Sequence, residues 1–285
     1  MAKTQDIKRR IRSVGNTMKL TRAMKLVSGS KLRRAQERML RARPYARRML
    51  HVLRSVAQRA DVEAHPLLRV RPPERVELVV LTADKGLCGA FNANIVRHAL
   101  SSVAQSGLPR PGIVAVGKKS REFFRRRGYA LVGEWVDVFR TVDFGTAAEI
   151  AALLSERYIR QEVDRIDLVY NEFKSAIQCR PVVQQLLPLR AAEVRGAGPV
   201  EEYLYEPDAQ QLFAELLPHY VENQVFQALL ESVAAEHAAR MTAMDSATKN
   251  AGELIETLTL KMNRVRQASI TTELIEVVSG AQALG

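Results

Sequence analysis

From Ile7 to Val56 apolar residues return at every third or fourth position: Ile7, Ile11, Val14, Met18, then Leu32, Ala35, Met39, Ala42, Ala46, Met49, Leu53 and Val56. Only Gly15, Gly29 and Pro44 interrupt the helical composition of this stretch. Steps of 3 and 4 held over seven heptads predict a coiled-coil helix that needs a partner. The seam lapses at Thr21, Lys25 and Ser28, while Leu20, Met24 and Val27 sit one place over. That offset predicts a rotation of the buried face. A second seam starts after "YEPDAQQ" and runs Leu212, Leu216, Phe226, Leu230, Val233, Met244, Ala247, Ala251, Leu254, Leu258 and Val265. His219, Asn223, His237, Arg240 and Lys261 interrupt it, as polar residues that fix register do.

Between the seams the period changes. "VELVVLTA", "GIVAVG", "YALVGEWV" and "IDLVYNEF" are short apolar runs bounded by Gly or charge, and they read as strands. "NANIVRHALSSVAQSG", "KKSREFFRRRG" and "TAAEIAALLSERYIRQEV" read as helices among them. Such alternation predicts βαβ units and a mostly parallel sheet. "RPVVQQLLPL" pairs with "IDLVYNEFKS" as an antiparallel hairpin at one end. The expected organisation is an N-terminal coiled-coil helix over 1–60, an α/β domain over 74–190, a linker over 191–207 and a C-terminal helix over 208–285.

A long helix, a compact domain and a second long helix most simply form an antiparallel pair with the domain at its base. If Val56 lies beside Leu212, facing residues share a constant sum and Ala2 falls near position 266. The second helix then outruns the first by about 20 residues, roughly 30 Å. The overhang is "QASITTELIEVVSGAQALG". In it Ile270, Leu274, Val277, Ala281 and Leu284 recur at steps of 4, 3, 4 and 3, and Ile275 and Val278 widen the stripe. A helix with so little polar face and no partner in its own chain must be sheathed by another protein.

Charge adds a direction. The net charge is +12, but residues 1–60 hold 18 Lys and Arg against Asp6 and Glu37, a local +16. The remainder therefore sums to −4, and the first helix is built to meet a polyanion or an acidic protein surface. No run approaches the roughly 18 apolar residues of a membrane span, and "MAKTQDIKRRIRS" has no apolar stretch of the secretory kind. Cys88 and Cys179 lie far apart without a CxxC, which suits a reduced compartment.

Candidate chemistry is sparse. "GIVAVGKKS", Gly112 to Ser120, approaches a phosphate-binding loop, but Lys119 replaces the hydroxyl residue and "IVAV" is strand-forming. "DKGLCGAFN", Asp84 to Asn92, enters a helix and reads as a tight turn. His51, His65, His98, His219 and His237 show no ligand spacing. We expect no catalytic residue, no metal and no cofactor of the chain's own.

Four stretches carry a resemblance over the whole chain: "IKRRIRSVGNTMKLTRAMKLVSGSKLRRAQ", "LTADKGLCGAFN", "EYLYEPDAQQL" and "HAARMTAMDSATKNAGELIETLTLKMNRVRQASITTELIEVVSGAQAL". Together they resemble the gamma subunits of bacterial rotary ATP synthases. The resemblance implies a Rossmann-like α/β domain at the foot of an antiparallel coiled-coil shaft. The shaft stands in a hexamer of alpha and beta subunits, and the foot rests with an epsilon subunit on a proton-driven ring of c subunits. It implies contact with beta-subunit loops for Met24, Lys25, Arg266, Gln267, Thr271 and Glu273. Ile270, Leu274, Val277 and Val278 become the bearing tip, and Tyr203, Leu204, Tyr205 and Glu206 the ring contact. Lys25 stands where an acidic residue can occur in relatives. The implied place is the cytoplasmic face of the bacterial membrane, held peripherally, with no specific nucleic acid and no small-molecule substrate. The basic helix alone would also suit a nucleic-acid reader or a tether. A basic zipper, however, concentrates charge ahead of a clean leucine seam, and here Lys and Arg are interspersed along it.

Overall fold

A computed structural model describes residues 2–107, 110–176, 178–195 and 208–283. In chain order the elements are α1 (Ala2–Ala57), β1 (Val76–Leu81), α2 (Phe91–Ser106), β2 (Gly112–Val116), α3 (Lys118–Arg126), β3 (Leu131–Trp135), α4 (Phe144–Ile159), β4 (Arg165–Phe173), β5 (Cys179–Leu187), α5 (Ala191–Arg195) and α6 (Ala209–Ala283). They form two compact units, Met1–Gly29 with Arg240–Gly285, and Ser30–Ala239.

The larger unit holds a five-stranded sheet in the order β3-β2-β1-β4-β5. β1, β2, β3 and β4 run parallel, and β5 returns antiparallel to β4. This is the α/β class expected from the alternating pattern. The central strands are apolar without alternation because helices cover both faces: Val79, Val80, Leu81 and Val114 are fully buried. α4 begins where Asp143 Oδ1 accepts a hydrogen bond from the Thr146 amide at 2.7 Å. The helical pattern in the sequence continues to Val163, but the helix stops at Ile159 because Gln161 turns into the left-handed region at φ 61.

Glu77 on β1 points to the α4 face, where Arg157 Nε and Nη2 donate to its Oε1 at 2.9 and 2.7 Å. Asp164 accepts from the side chain and amide of Arg75 and lies 3.9 Å from Arg71. The paired guanidinium holds the Asp164 carboxyl below its ordinary range against the opposing effect of desolvation.

Within this unit the α1 seam is nearly as read: Leu32, Ala35, Met39, Ala46, Met49, Leu53 and Val56 are buried, and Ala42 is half-buried. The α6 seam is displaced by one residue at its start. Phe213 and Leu217 are fully buried, whereas Leu212 and Leu216 are only half-buried. Further along, α6 is apolar nearly all round because it meets the sheet domain as well as α1. Phe226 packs edge-on to Phe144, Gln184 donates to Gln224, and the Phe173 amide donates to Glu231. A two-stranded seam drawn from heptads alone could not include that second neighbour. The stretch read as linker opens with α5, whose Val194 is buried and whose Glu193 carbonyl accepts from Arg54 Nε at 3.1 Å.

Candidate functional site

The smaller unit pairs the first part of α1 with the last part of α6. Lys25 Nζ donates to Asp245 Oδ1 at 2.6 Å, and the Thr21 and Thr248 hydroxyls meet at 2.8 Å. These pairs sum to 270 and 269, one or two residues from the register expected from Val56 and Leu212. Residues beyond about 268 therefore have no α1 residue opposite them.

The predicted rotation of the buried face at Thr21 does not occur. Thr21 and Ser28 are 7% and 2% exposed, whereas Leu20 and Val27 are 61% and 55% exposed. The seam passes straight through its polar residues because each finds a partner there. Ser28 Oγ donates to the Met24 carbonyl. Thr21 Oγ1 reaches the Met18 carbonyl and Thr248 Oγ1 the Met244 carbonyl. Each hydroxyl has one proton, so one donates across the pair while the other donates back to its own helix. Asp245 also lies 3.4 Å from Lys249. The hydrogen bond from Lys25, reinforced by Lys249, holds the Asp245 carboxyl below its usual range. Sequence reading missed Asp245 and Thr248, though Lys25 at a seam position called for an acid opposite.

Beyond this layer no side-chain hydrogen bond or ion pair joins α1 to α6 among the described residues. Arg266, Gln267, Thr271 and Glu273 are exposed. Ile270 is 49% exposed, Leu274 60%, Val277 70% and Val278 55%. The hydroxyls of Thr271 and Thr272 donate to the carbonyls of Gln267 and Ala268, so these side chains present methyl groups outward. Of the expected loop contacts, Met24 is half-buried and Lys25 is already engaged by Asp245. The structure thus separates a paired Lys25 from an unpaired tip. Tyr203, Leu204, Tyr205 and Glu206 lie outside the described residues.

In the larger unit the phosphate-like stretch is closed by its own chain. Asp84 Oδ1 accepts from the Lys118 and Asp137 amides at 3.0 and 2.9 Å, and Thr82 Oγ1 accepts from the Ser120 amide at 2.7 Å. These side chains occupy the N-terminus of α3, where a phosphate would sit. Gly117 has φ 96, and a Cβ there would lie 2.0 Å from the Thr82 carbonyl oxygen. The "DKGLCGAFN" turn therefore serves as a cap for the neighbouring helix. Among the described residues no group of His, Cys, Asp or Glu could hold a metal ion, and no helix is long and apolar enough to cross a membrane.

Comparison with known proteins gives a consistent picture. The ATP synthase family profile matches residues 3–284. The chain is 48% identical to the ATP synthase gamma chain of Pelotomaculum thermopropionicum over 284 residues, covering 100% of both chains. It is 49% identical to the ATP synthase gamma chain of Desulforamulus reducens, again over 100% of both. A chain from the central stalk and c-ring structure of the Tetrahymena thermophila mitochondrial ATP synthase is 30% identical. It has a TM-score of 0.61 and covers 80% of this chain and 99% of its own. At 20% identity, a chain of the Euglena gracilis mitochondrial ATP synthase shares the fold with a TM-score of 0.70, covering 99% of this chain and 95% of its own.

Proposed function

The chain belongs to the ATP synthase family as a gamma chain, and from that premise we infer that it is the central rotor shaft of a proton-translocating ATP synthase. It is a non-catalytic subunit of that complex. The observation that carries the reading is the α6 tip, a helix whose large apolar side chains are exposed and lack an α1 partner. Such a surface is stable in water only when something else covers it. A hexamer of alpha and beta subunits supplies the cover, and a ring of c subunits with an epsilon subunit receives the foot.

The shaft has no active site to offer, so it acts through contacts. An asymmetric two-helix shaft presents different side chains in each direction, and each of three surrounding catalytic subunits meets a different set at every angle. Turning the shaft changes the relative stability of their conformations, which is the only way one subunit can bias another. Torque passes between ring and hexamer in either direction, coupling proton flow to ATP synthesis or hydrolysis. The complex is membrane-associated, and the chain is peripheral to it on the cytoplasmic face.

On this reading Arg266, Gln267, Thr271 and Glu273 meet the beta-subunit loops, and so do Met24 and Lys25 at the lower level where Lys25 pairs with Asp245. Ile270, Leu274, Val277 and Val278 form the bearing. Tyr203, Leu204, Tyr205 and Glu206 meet the ring. The functional division follows 1–60 and 208–285 as shaft, 74–190 as the α/β foot domain and 191–207 as the connection between foot and shaft. Weakly interlocking apolar contact suits the bearing, because deep side-chain interdigitation would trap one angle. The test is reconstitution with alpha and beta subunits. Arg266→Ala with Gln267→Ala should lower ATP synthesis while the complex still assembles. Unchanged synthesis and hydrolysis rates would remove both residues from the coupling contact.

A further inference from the structure

The basic charge of α1 continues into the larger unit, where part of it rims a pocket. A pocket of about 480 Å³ lies between α1, the 3-10 turn Val138–Arg140 and α6. Ala35, Phe139, Val142, Leu230 and Val233 line it, and all five are buried, so its floor is rigid and apolar. Its rim is cationic. Lys31, Arg34, Arg38 and Arg41 recur at helical spacing along one side of α1, and Arg140 faces them from the turn.

The acids nearby are already engaged. Glu37, the one carboxylate in the lining, accepts from Arg33 Nε at 3.2 Å. Glu236 is buried with its carboxylate 2.8 Å from His237 Nδ1. None of Arg34, Arg38, Arg41 and Arg140 forms an ion pair with a carboxylate among the described residues. Elsewhere in the same unit guanidinium groups are paired, as Arg75 is with Asp164 and Arg157 with Glu77. Five like charges around one concavity repel one another, and an anion seated between them removes that repulsion.

We propose that this pocket binds a phosphoanhydride anion: inorganic pyrophosphate, or the polyphosphate chain of a nucleotide. A single carboxylate carries one negative charge, too few for five cations. A diphosphate brings several charges and enough oxygens to accept from several guanidinium groups at once, the geometry for which arginine is suited. The volume falls within the range of small-molecule sites. Phe139, the one aromatic ring of the floor, is buried and presents little face to a base, so the phosphates carry the recognition. A ligand held by both α1 and Arg140 would tie the shaft helix to the sheet domain at this level of the larger unit.

The test uses the full chain in low-salt buffer with a chelator and no divalent metal. Calorimetric titration with pyrophosphate should show one saturable site per chain. Tripolyphosphate should bind as well, ATP should bind no more tightly than tripolyphosphate, and orthophosphate should bind more weakly. Arg34→Ala and Arg140→Ala, on different elements, should each weaken binding about tenfold. The paired control Arg9→Ala with Arg10→Ala, which removes equal or greater charge outside the pocket, should leave the affinity unchanged. In the absence of ligand neither pocket variant should melt below the wild type, since removing one of the crowded cations relieves repulsion. Loss of binding in the control to the same degree would reduce the effect to general charge and overturn the proposal. Absence of a saturable one-to-one site for pyrophosphate would overturn it too, as would a pocket that takes only an acidic polypeptide.

Discussion

Replacing Leu274 by Asp should leave the free chain about as stable as before and yet impair its assembly with alpha and beta subunits. The magnitude follows from exposure. Ile270, Leu274, Ile275, Val277 and Val278 are 49–70% exposed, so together they leave nearly three side chains' worth of apolar surface in water. Covering a large aliphatic side chain contributes about 1.5–3 kcal/mol, so a full sheath yields about 4–9 kcal/mol from these five. Leu274, 60% exposed, supplies about 1–2 kcal/mol of that. Leu274→Asp removes this share and adds the desolvation of a carboxylate, several kcal/mol more. In the free chain the same position is mostly solvated already, and the change stays within about 0.5 kcal/mol. Amide hydrogen exchange reads the reasoning directly. An unpartnered helix of about 20 residues is marginal, so residues 268–283 should exchange fast in the free chain and slowly in the complex, with the α6 amides near Leu230 and Val233 protected in both. Val277→Ala should be mild, because general apolar fit rather than one deep contact holds the tip. Equal protection of the tip in free and assembled protein would refute the argument.

Three further outcomes follow from the paired residues. Arg157→Ala leaves Glu77, 4% exposed, as a buried charge without its cation, and should cost about 3–5 kcal/mol in denaturant unfolding of the sheet domain; Arg157→Ala with Glu77→Gln should recover much of it. Gly117→Ala forces a side chain into a φ of 96 and against the Thr82 carbonyl, and should cost about 3 kcal/mol or more, read as a lowered Tm with α3 exchanging first. Asp245 has its carboxyl pKa depressed by Lys25, so its contribution to the coil is present above the ordinary carboxylate pKa and is lost as pH falls through the depressed one. The difference in coil stability between the wild type and Asp245→Asn should accordingly be present at neutral pH and close in acid, and a difference that instead widens in acid would reverse the assignment.

The polar layer and the α6 seam show where linear pattern stops being sufficient. Ile7, Leu32, Met39 and Leu53 could be read as buried because each repeats the period of its neighbours. Thr21 and Lys25 could not, since their places in the seam depend on Thr248 and Asp245, more than 200 residues away, supplying the partners. The exposed Leu20 and Val27 follow from the same pairing, because a seam held by hydrogen bonds has no need to rotate toward them. The one-residue displacement to Phe213 and Leu217 has a similar cause: α6 packs against two surfaces there, and a heptad describes only one.

Local pattern alone determined the strands, the helices between them, the antiparallel final hairpin and, through the seam register, an overhang of about 20 residues. These are properties of period and chain length, which act over neighbouring residues. The tertiary structure decided which charges are satisfied. It gave Asp84 and Thr82 to the N-terminus of α3, closing a stretch that resembles a phosphate loop, and left Arg34, Arg38, Arg41 and Arg140 around an open pocket. Whether a polar group is partnered depends on what the fold brings within about 3 Å of it. That distance is set by contacts between segments remote in sequence, and no local period encodes it.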